Sequence, residues 1–270
     1  MSDSPILIVT ICSRCKKSGG REGYDTSSMQ KTWASEETQG LRRRRDQVLQ
    51  RLQACETVRD GLMVKDMSSN RALLRGPDFG GDASPEYLPA VQRYNGDFYQ
   101  ALGRAESRPE LVTTVGAPHM LIISTLYGLL APDELIQEYD CYIKDDAEIA
   151  TLWTVNHYLT DLLRSYVRQH RIQRIFELAG DDDYRQMVCW PSLSRTAQVL
   201  HVSGTDSAGA QSLPALGSFA RQYLFGASVE ELLGMQNGQS FATRNGGVVL
   251  HESDVSGPDA ELGRENDDYQ

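Results

Sequence analysis

The chain contains 270 residues, of which 40% are hydrophobic and 24% are charged, and its formal net charge is −10. This length allows one large α/β domain or two small ones, because domains usually contain about 100–200 residues. No apolar run approaches the roughly 18 residues that a membrane span requires, so we expect no integral membrane protein.

The first predicted element is a strand from Ile6 to Ile11, a short apolar run near the N-terminus. No basic region precedes this run, so we interpret it as part of the fold and not as a signal peptide. The five cysteines are odd in number and scattered, which favours a reducing, cytoplasmic location over a disulfide framework. Cys12 and Cys15 form a single C-x-x-C pair, which permits zinc binding, redox chemistry or a plain loop.

A polar loop over residues 12–20 follows this strand and combines two glycines with the basic residues Arg14, Lys16 and Lys17. Such a loop could bring backbone N–H groups and cations to a phosphate, although it lacks the spacing of a P-loop. The loop is therefore a candidate contact for nucleic-acid phosphates, even though the chain as a whole is acidic.

The next predicted elements are a long surface helix, a long loop and a pair of helices. Residues 32–60 place apolar side chains at helical spacing, and the four arginines at 42–45 are either a phosphate-facing patch or a solvated helix face. Residues 68–85 are rich in Gly, Pro, Ser and Asp, which predicts a loop. Residues 87–102 predict two helices broken at an Asn-Gly pair, with aromatic side chains that form either core or a stacking surface.

A buried strand from Met120 to Ile123 ends abruptly in a segment rich in hydroxyls and carboxylates, residues 124–140. In open α/β sheets ligands bind beyond the carboxyl ends of the strands, so this segment is a candidate site. The alternative is an ordinary exit from a strand into a loop, with an aspartate that caps a helix.

The second half of the chain alternates helices with strands, which predicts a three-layer α/β fold with a mostly parallel sheet. A polar segment, 180–184, again follows a strand. The predicted helices cover residues 147–170, 213–225 and 229–233, and the predicted strands cover 174–178 and 199–202.

We expect a single domain over residues 1–245 and an acidic, disordered tail over 246–270. The tail sequence is rich in Gly, Asp and Glu and has few apolar anchors. Residues 252–270 have a net charge of −6, which leaves −4 for the remainder of the chain.

Parallel strands place their carboxyl ends on one edge, so the loops at 12–17, 124–140 and 180–184 should converge on one pocket. That pocket would contain carboxylates, aromatic walls, a serine hydroxyl and cations. Its predicted members are Asp133, Asp140, Asp183, Tyr127, Tyr184, Ser124, Lys16 and Arg14.

Two segments, residues 94–99 and 124–140, contain Tyr, Gly, Ser, Pro and Asp residues at characteristic intervals. The positions concerned are Tyr94, Gly96 and Tyr99, and then Ser124, Tyr127, Gly128, Leu129, Pro132, Asp133, Ile136, Tyr139 and Asp140. Together they resemble the paired signature of the YaaA-like proteins, which include peroxide-stress proteins and relatives found with DNA-modification or phage-defence genes. The resemblance implies a mixed α/β fold with a cleft, association with DNA and, for the peroxide-stress members, protection of DNA by limiting free iron.

The chemistry of the predicted pocket suits hydrolysis of N-glycosidic bonds of modified bases in DNA, as in a DNA glycosylase. The alternative is a non-enzymatic DNA-binding stress or defence protein, and a free nucleotide could replace DNA as the partner. No cofactor or metal is predicted, because no pair of histidines or carboxylates has ligand spacing. The predicted residues are Asp140, Asp133 and Ser124 for catalysis; Tyr127, Tyr94, Arg93, Tyr99, Asp183 and Tyr184 for substrate binding; and Arg14, Lys16, Lys17, Arg42, Arg43, Arg44 and Arg45 for phosphates.

Overall fold

The structure is a computed structural model that describes residues 4–25, 27–54, 57–60, 63–206 and 209–253. Its strands, taken in chain order within these residues, are β1 (Ile6–Ile11), β2 (Thr57–Asp60), β3 (Met63–Asp66), β4 (Leu88–Pro89), β5 (His119–Ser124), β6 (Gly128–Leu130), β7 (Leu135–Ile136), β8 (Arg174–Glu177), β9 (Gln198–Gly204), β10 (Ser240–Thr243) and β11 (Gly246–Glu252).

The main sheet contains seven strands in the order β10-β11-β9-β8-β1-β5-β6. β9, β8, β1 and β5 pair in parallel, whereas β6 and β11 run antiparallel to their inner neighbours. β10 pairs antiparallel with β11, so five of the seven strands point in one direction. All six residues of β1 are buried, as expected for a central strand covered on both faces. The predicted α/β class is confirmed.

Helices flank this sheet. Among the helices of the described residues, none combines the length and apolar character that a bilayer span needs. A π-helical segment, Ala220–Leu224, continues directly from the helix that ends at Phe219. The helices are α1 (Ser27–Thr32), α2 (Ser35–Ala54), α3 (Ala90–Arg93), α4 (Asp97–Leu102), α5 (Arg108–Thr113), α6 (Ala147–Thr154), α7 (Tyr158–Gln169), α8 (Asp182–Arg185), α9 (Trp190–Leu193), α10 (Leu213–Phe219) and α11 (Val229–Gly234).

Three predicted boundaries are corrected. The helix expected over 32–60 ends at Ala54, and an antiparallel hairpin of β2 and β3 follows it. The helix expected over 147–170 is divided because Asn156 and His157 both adopt left-handed backbone conformations between α6 and α7. Residues 246–252, expected in the tail, form β11 between β10 and β9; residues 254–270 of the expected tail lie outside the described part of the chain.

A buried ion pair ties α2 to the far edge of the sheet. The Arg45 guanidinium is fully buried and lies 2.5 Å from a Glu134 carboxylate oxygen. It also donates hydrogen bonds to the carbonyl oxygens of Tyr127, at 2.8 Å, and Leu129, at 3.0 Å. Arg45 is thus part of the core, and the prediction that it binds phosphates is wrong.

We expect the substitution Arg45→Ala to lower the free energy of unfolding by about 3–5 kcal/mol, because it leaves the Glu134 carboxylate buried and unpaired. Arg43→Ala is the matched control: Arg43 is exposed on the same helix, and its loss should cost about 0.5 kcal/mol or less. Chemical denaturation of both variants measures the difference, and equal losses would contradict a core role for the ion pair.

Candidate functional site at the carboxyl edge of the sheet

The three predicted strand exits meet at one edge of the sheet. In the parallel register Ile11 lies beside Ile123, and the Cys12 N–H then donates to the Ile123 carbonyl oxygen at 2.8 Å. On the other side of β1 the Leu178 N–H donates to the Val9 carbonyl oxygen at 2.8 Å. The loops after β1, β5 and β8 are therefore neighbours, because consecutive positions of the sheet supply all three.

A cluster of buried hydroxyls lies directly beneath this edge. The Tyr139 hydroxyl is 2.9 Å from the Ser124 hydroxyl and 3.0 Å from that of Tyr94, and Tyr94 also donates to Ser124 at 3.3 Å. The Tyr127 N–H donates to the same serine oxygen at 3.1 Å. Ser124 and Tyr94 are 0% exposed and Tyr139 is 4% exposed, so the cluster is part of the core. Burial raises the pKa of Tyr94 and of Tyr139, which keeps both phenols neutral.

The hydroxyl cluster continues toward β8 through a thiol. The Cys12 thiol donates to the Tyr184 hydroxyl at 3.3 Å, and that hydroxyl lies 2.8 Å from the Thr125 hydroxyl. Cys12 is buried, whereas Cys15, three residues later, is exposed, and both thiols are free. The C-x-x-C pair therefore places its two sulfur atoms in different environments.

The loop after β1 is attached to the helix pair α3 and α4. The Lys17 N–H donates to the Arg93 carbonyl oxygen at 2.7 Å, and the Asn95 N–H donates to the Cys15 carbonyl oxygen at 2.8 Å. A side chain at Gly96 would collide with the present position of the Ser13 hydroxyl, so glycine permits this close approach.

The Lys16 ammonium lies 3.9 Å from the centre of the Tyr139 ring, above the hydroxyl cluster, and donates to the Ser13 carbonyl oxygen at 2.8 Å. Lys16 is half-buried, whereas Lys17 is exposed and pairs with Glu106 at 2.9 Å. A partly desolvated cation over an aromatic face is stabilised by the ring quadrupole.

A rim of charged and phenolic side chains, exposed or half-buried except for Asp145, lies beside the cluster. The Tyr142 hydroxyl donates to Asp183 at 2.7 Å and Asp181 at 3.0 Å, and Lys144 pairs with Asp183 at 2.7 Å. The Arg14 guanidinium lies 4.9 Å from the centre of the Tyr142 ring. We call these residues, with Asp145, which lies 3.5 Å from Arg14, the rim.

The charges of the rim fix the protonation of its members. Burial alone would raise the pKa of Asp183, but hydrogen bonds from Lys144 and Tyr142 outweigh it and hold the pKa below its usual value. Burial, together with the carboxylates of Asp183 and Asp181, raises the pKa of Tyr142. The phenol therefore remains a hydrogen-bond donor.

The two predicted catalytic aspartates occupy different surroundings. Asp140 is half-exposed, and its backbone is fixed on both sides by Asn70, whose amide donates to the Asp140 carbonyl oxygen and accepts from its N–H. Asp133 is exposed in the turn before β7.

Several other predicted residues have structural contacts. Arg93 is fully buried and donates to the carbonyl oxygens of Lys17 and Gly19 at 2.6 and 2.7 Å, so it holds the loop after β1 in place. Tyr99 is 1% exposed and donates to the Ile11 carbonyl oxygen at 2.8 Å. These contacts point to positioning roles for both side chains.

The arginines of α2 point in different directions. Arg44 donates to the Leu152 carbonyl oxygen at 2.5 Å and lies 3.9 Å from the centre of the Tyr158 ring. Arg42 is half-buried and Arg43 is exposed. The four consecutive arginines therefore do not form one patch.

Asp78 is a fully buried carboxylate behind Tyr127, and no motif in the sequence indicates its burial. It accepts hydrogen bonds from the hydroxyls of Tyr87 at 2.7 Å and Tyr127 at 2.9 Å, and from the Gln137 amide at 3.1 Å. Burial raises the pKa of Asp78 to about 6, against the lowering effect of these bonds. Asp78 anchors the predicted loop over 68–85 to the strand edge.

Within the part of the chain that the structure describes, no three His, Cys, Asp or Glu side chains are close enough to hold a metal ion. The groups that this edge presents are phenols, hydroxyls, thiols, carboxylates and cations. A family model described as "Peroxide stress protein YaaA" matches residues 10–223, which include all three converging loops. A comparison with curated proteins finds no match to the chain.

The raised pKa of Asp78 predicts a pH-dependent stability. Between pH 3.8 and about 6 the native carboxyl stays protonated while the unfolded one ionises, so this group's contribution to stability falls as the pH rises. The loss should reach about 3 kcal/mol above pH 6. Asp78→Asn should remove this loss. The unfolding free energy of the variant, compared with that of the native chain, should therefore rise as the pH increases across this interval.

Urea unfolding at a series of pH values measures this difference. Asp82→Asn, a change at an exposed position of the same loop, is the control and should show no such trend. A constant difference between the native chain and Asp78→Asn over the whole interval would contradict the assignment.

Proposed function

Because this chain belongs to the YaaA peroxide stress protein family, we propose that it acts in the peroxide-stress response by associating with DNA through the carboxyl edge of its sheet. The supporting observation is the convergence of three loops on a rigid buried hydroxyl cluster, with Arg14, Lys16 and Lys144 around it. Loops at this edge are where α/β folds carry their binding residues.

The cations of the loops can bind phosphates in place of their present partners or beside them. Arg14 has a side chain 58% exposed and lies 3.5 Å from Asp145, and the pair of Lys17 with Glu106 is exposed on both sides. Exposed ion pairs such as that of Lys17 with Glu106 contribute little free energy, about 0–1 kcal/mol. A phosphate with several charged oxygens can therefore replace the Glu106 carboxylate without a large cost. Arg14 faces a carboxylate whose side chain is only 1% exposed, so it would keep that contact and bind a phosphate with its remaining N–H groups.

The acidic residues of the rim limit this association to a local contact. Asp145, Asp181 and Asp183 lie among the cations, and the whole chain has a net charge of −10. A long duplex laid across the surface would be repelled elsewhere, whereas a short segment, an end or an extruded nucleotide at the rim would meet the cations first.

Hydrolysis of N-glycosidic bonds in modified DNA is the second candidate function. The observation in its favour is the position of Asp140: it is half-exposed, held by two backbone hydrogen bonds to Asn70, and follows Tyr139 of the hydroxyl cluster. A carboxylate with a fixed backbone and access to water is suited to activate that water. Stacking of a base on Tyr94 or Tyr127 would require these fully buried rings to move.

The DNA-binding proposal predicts a salt-dependent affinity. Replacing Arg14 and Lys17 together by glutamine should weaken binding of a short duplex and reduce the slope of log affinity against log salt by about two. Fluorescence anisotropy at several salt concentrations measures both quantities. Arg168→Gln, which removes an exposed charge on α7, is the control and should leave the slope unchanged. The proposal fails if the native chain binds no duplex, or binds it without salt dependence.

The hydrolytic candidate predicts that Asp140→Asn releases base from duplexes with modified bases at least about 100-fold more slowly than the native chain does. Chromatography of the released base measures the rate, and Asp82→Asn serves as a carboxylate control of equal charge change. Equal rates for the native chain and Asp140→Asn, with both folded, would eliminate this candidate and leave the DNA-binding role intact.

A further inference from the structure

A polar groove lies beside α4, between this helix and the segment formed by α10 and its π-helical extension. Its volume is about 640 Å³, and we call it the α4 groove. Its polar lining includes Asp97, Gln100, Ser218, Arg221, Arg244 and Asn245. Nothing in the sequence patterns or in the proposed function uses these residues.

Two exposed arginines dominate the charge of this groove. Among the residues that the structure describes, neither Arg221 nor Arg244 forms an ion pair. The Arg221 guanidinium donates weakly, at 3.5 Å, to the carbonyl oxygen of Leu102 at the end of α4. A single weak contact leaves most of the five N–H donors of this group for a ligand.

The remaining walls supply acceptors and oriented amides. The Asn245 amide donates to the Ser218 hydroxyl at 2.6 Å and to the Pro214 carbonyl oxygen at 3.4 Å. With its N–H groups used in this way, the Asn245 carbonyl oxygen is left to accept. Asp97 adds a carboxylate that can accept from hydroxyl or amino groups. The groove thus offers cations at one set of positions and acceptors at another.

The floor of the groove is rigid. α4 packs against α10 so closely that a Cβ atom at Gly217 would collide with the Phe98 carbonyl oxygen. The wall at Ala220–Leu224 is π-helical, and such segments occur frequently at functional sites. Ligand pockets are usually preformed in this way, with volumes of about 300–1,000 Å³.

We propose that the α4 groove binds a phosphorylated ligand of nucleotide size. Arg221 and Arg244 hold the phosphate, because guanidinium groups match its oxygens in pairs of hydrogen bonds. Asp97 and Asn245 accept hydrogen bonds from the sugar hydroxyls or base amino groups. The Gln100 amide forms hydrogen bonds with the same part of the ligand. None of the described residues that line the groove is aromatic, so recognition depends on polar edges and not on stacking.

Isothermal titration calorimetry with three probes, inorganic phosphate, AMP and adenosine, tests the proposal. The native chain should bind AMP at least about tenfold more tightly than adenosine, because adenosine lacks the charged group. The double variant Arg221→Gln and Arg244→Gln should lose at least about tenfold of the AMP affinity. Arg168→Gln should retain it, and all variants should keep the melting temperature of the native chain.

A second variant separates the two halves of the ligand. Asp97→Asn should weaken AMP binding without weakening inorganic phosphate binding, because it changes only the acceptor that faces the sugar and base. Equal AMP affinities for the native chain and the double arginine variant would overturn the proposal, as would the absence of AMP and phosphate binding by the native chain.

A 5′-phosphorylated dinucleotide distinguishes a free nucleotide from the end of a strand. If the groove accepts strand ends, the dinucleotide should bind at least as tightly as AMP and depend on the same two arginines. Weaker binding of the dinucleotide identifies the free nucleotide as the source of the phosphate. Neither result depends on Arg14 or Lys17, so this site and the DNA-binding proposal can fail separately.

Discussion

The cluster of buried hydroxyls beneath the strand edge is the constraint on which the rest of the site depends. Ser124, Tyr94 and Tyr139 each need a hydrogen-bond partner, because a buried polar atom without one costs about 1–3 kcal/mol. They satisfy one another only if the loops that carry them hold one relative position. The cluster therefore fixes the loops, and the loops fix the charges above them.

The charges above this cluster are balanced in sign, which distinguishes the edge from a simple basic patch. Lys144 and Arg14 each lie beside a carboxylate, and Tyr142 donates to two carboxylates of the segment after β8. Such an arrangement favours ligands that present a phosphate together with hydrogen-bond donors, and it discriminates against ligands that present phosphates alone. The geometry thus argues for recognition of a nucleotide unit more than of a uniform backbone.

Features that depend on a short stretch of sequence could be predicted. β1 and β5 are apolar along their whole length because neighbouring strands and helices cover both faces, and the Asn-Gly pair at 95–96 ends a helix where the chain approaches the first loop. The convergence of the three exits followed from parallel pairing alone, once β8, β1 and β5 proved to be adjacent. Here local sequence and global topology agree.

What could not be predicted depends on distant partners. Arg45 looks like its three arginine neighbours in sequence, and partners more than 80 positions away, Glu134 and two carbonyl oxygens, make it a core residue. Asp78 lies in a glycine-rich loop and is buried by tyrosines from two other segments. β11 contains only a three-residue apolar run, residues 248–250, next to the acidic C-terminal residues, and its pairing with β9 and β10 makes it part of the sheet. Helical and strand periodicity contains no information about such pairings.

The two thiols of the first loop differ in their access to solvent. Cys12 is sealed by Tyr184 and Thr125, whereas Cys15 stands in solvent only three positions along the same loop. An electrophile that meets the folded molecule therefore encounters one sulfur at once and the other only when the hydroxyl cluster separates. The modification rate of Cys15 can therefore serve as an internal reference, and the rate of Cys12 relative to it measures how often this edge opens.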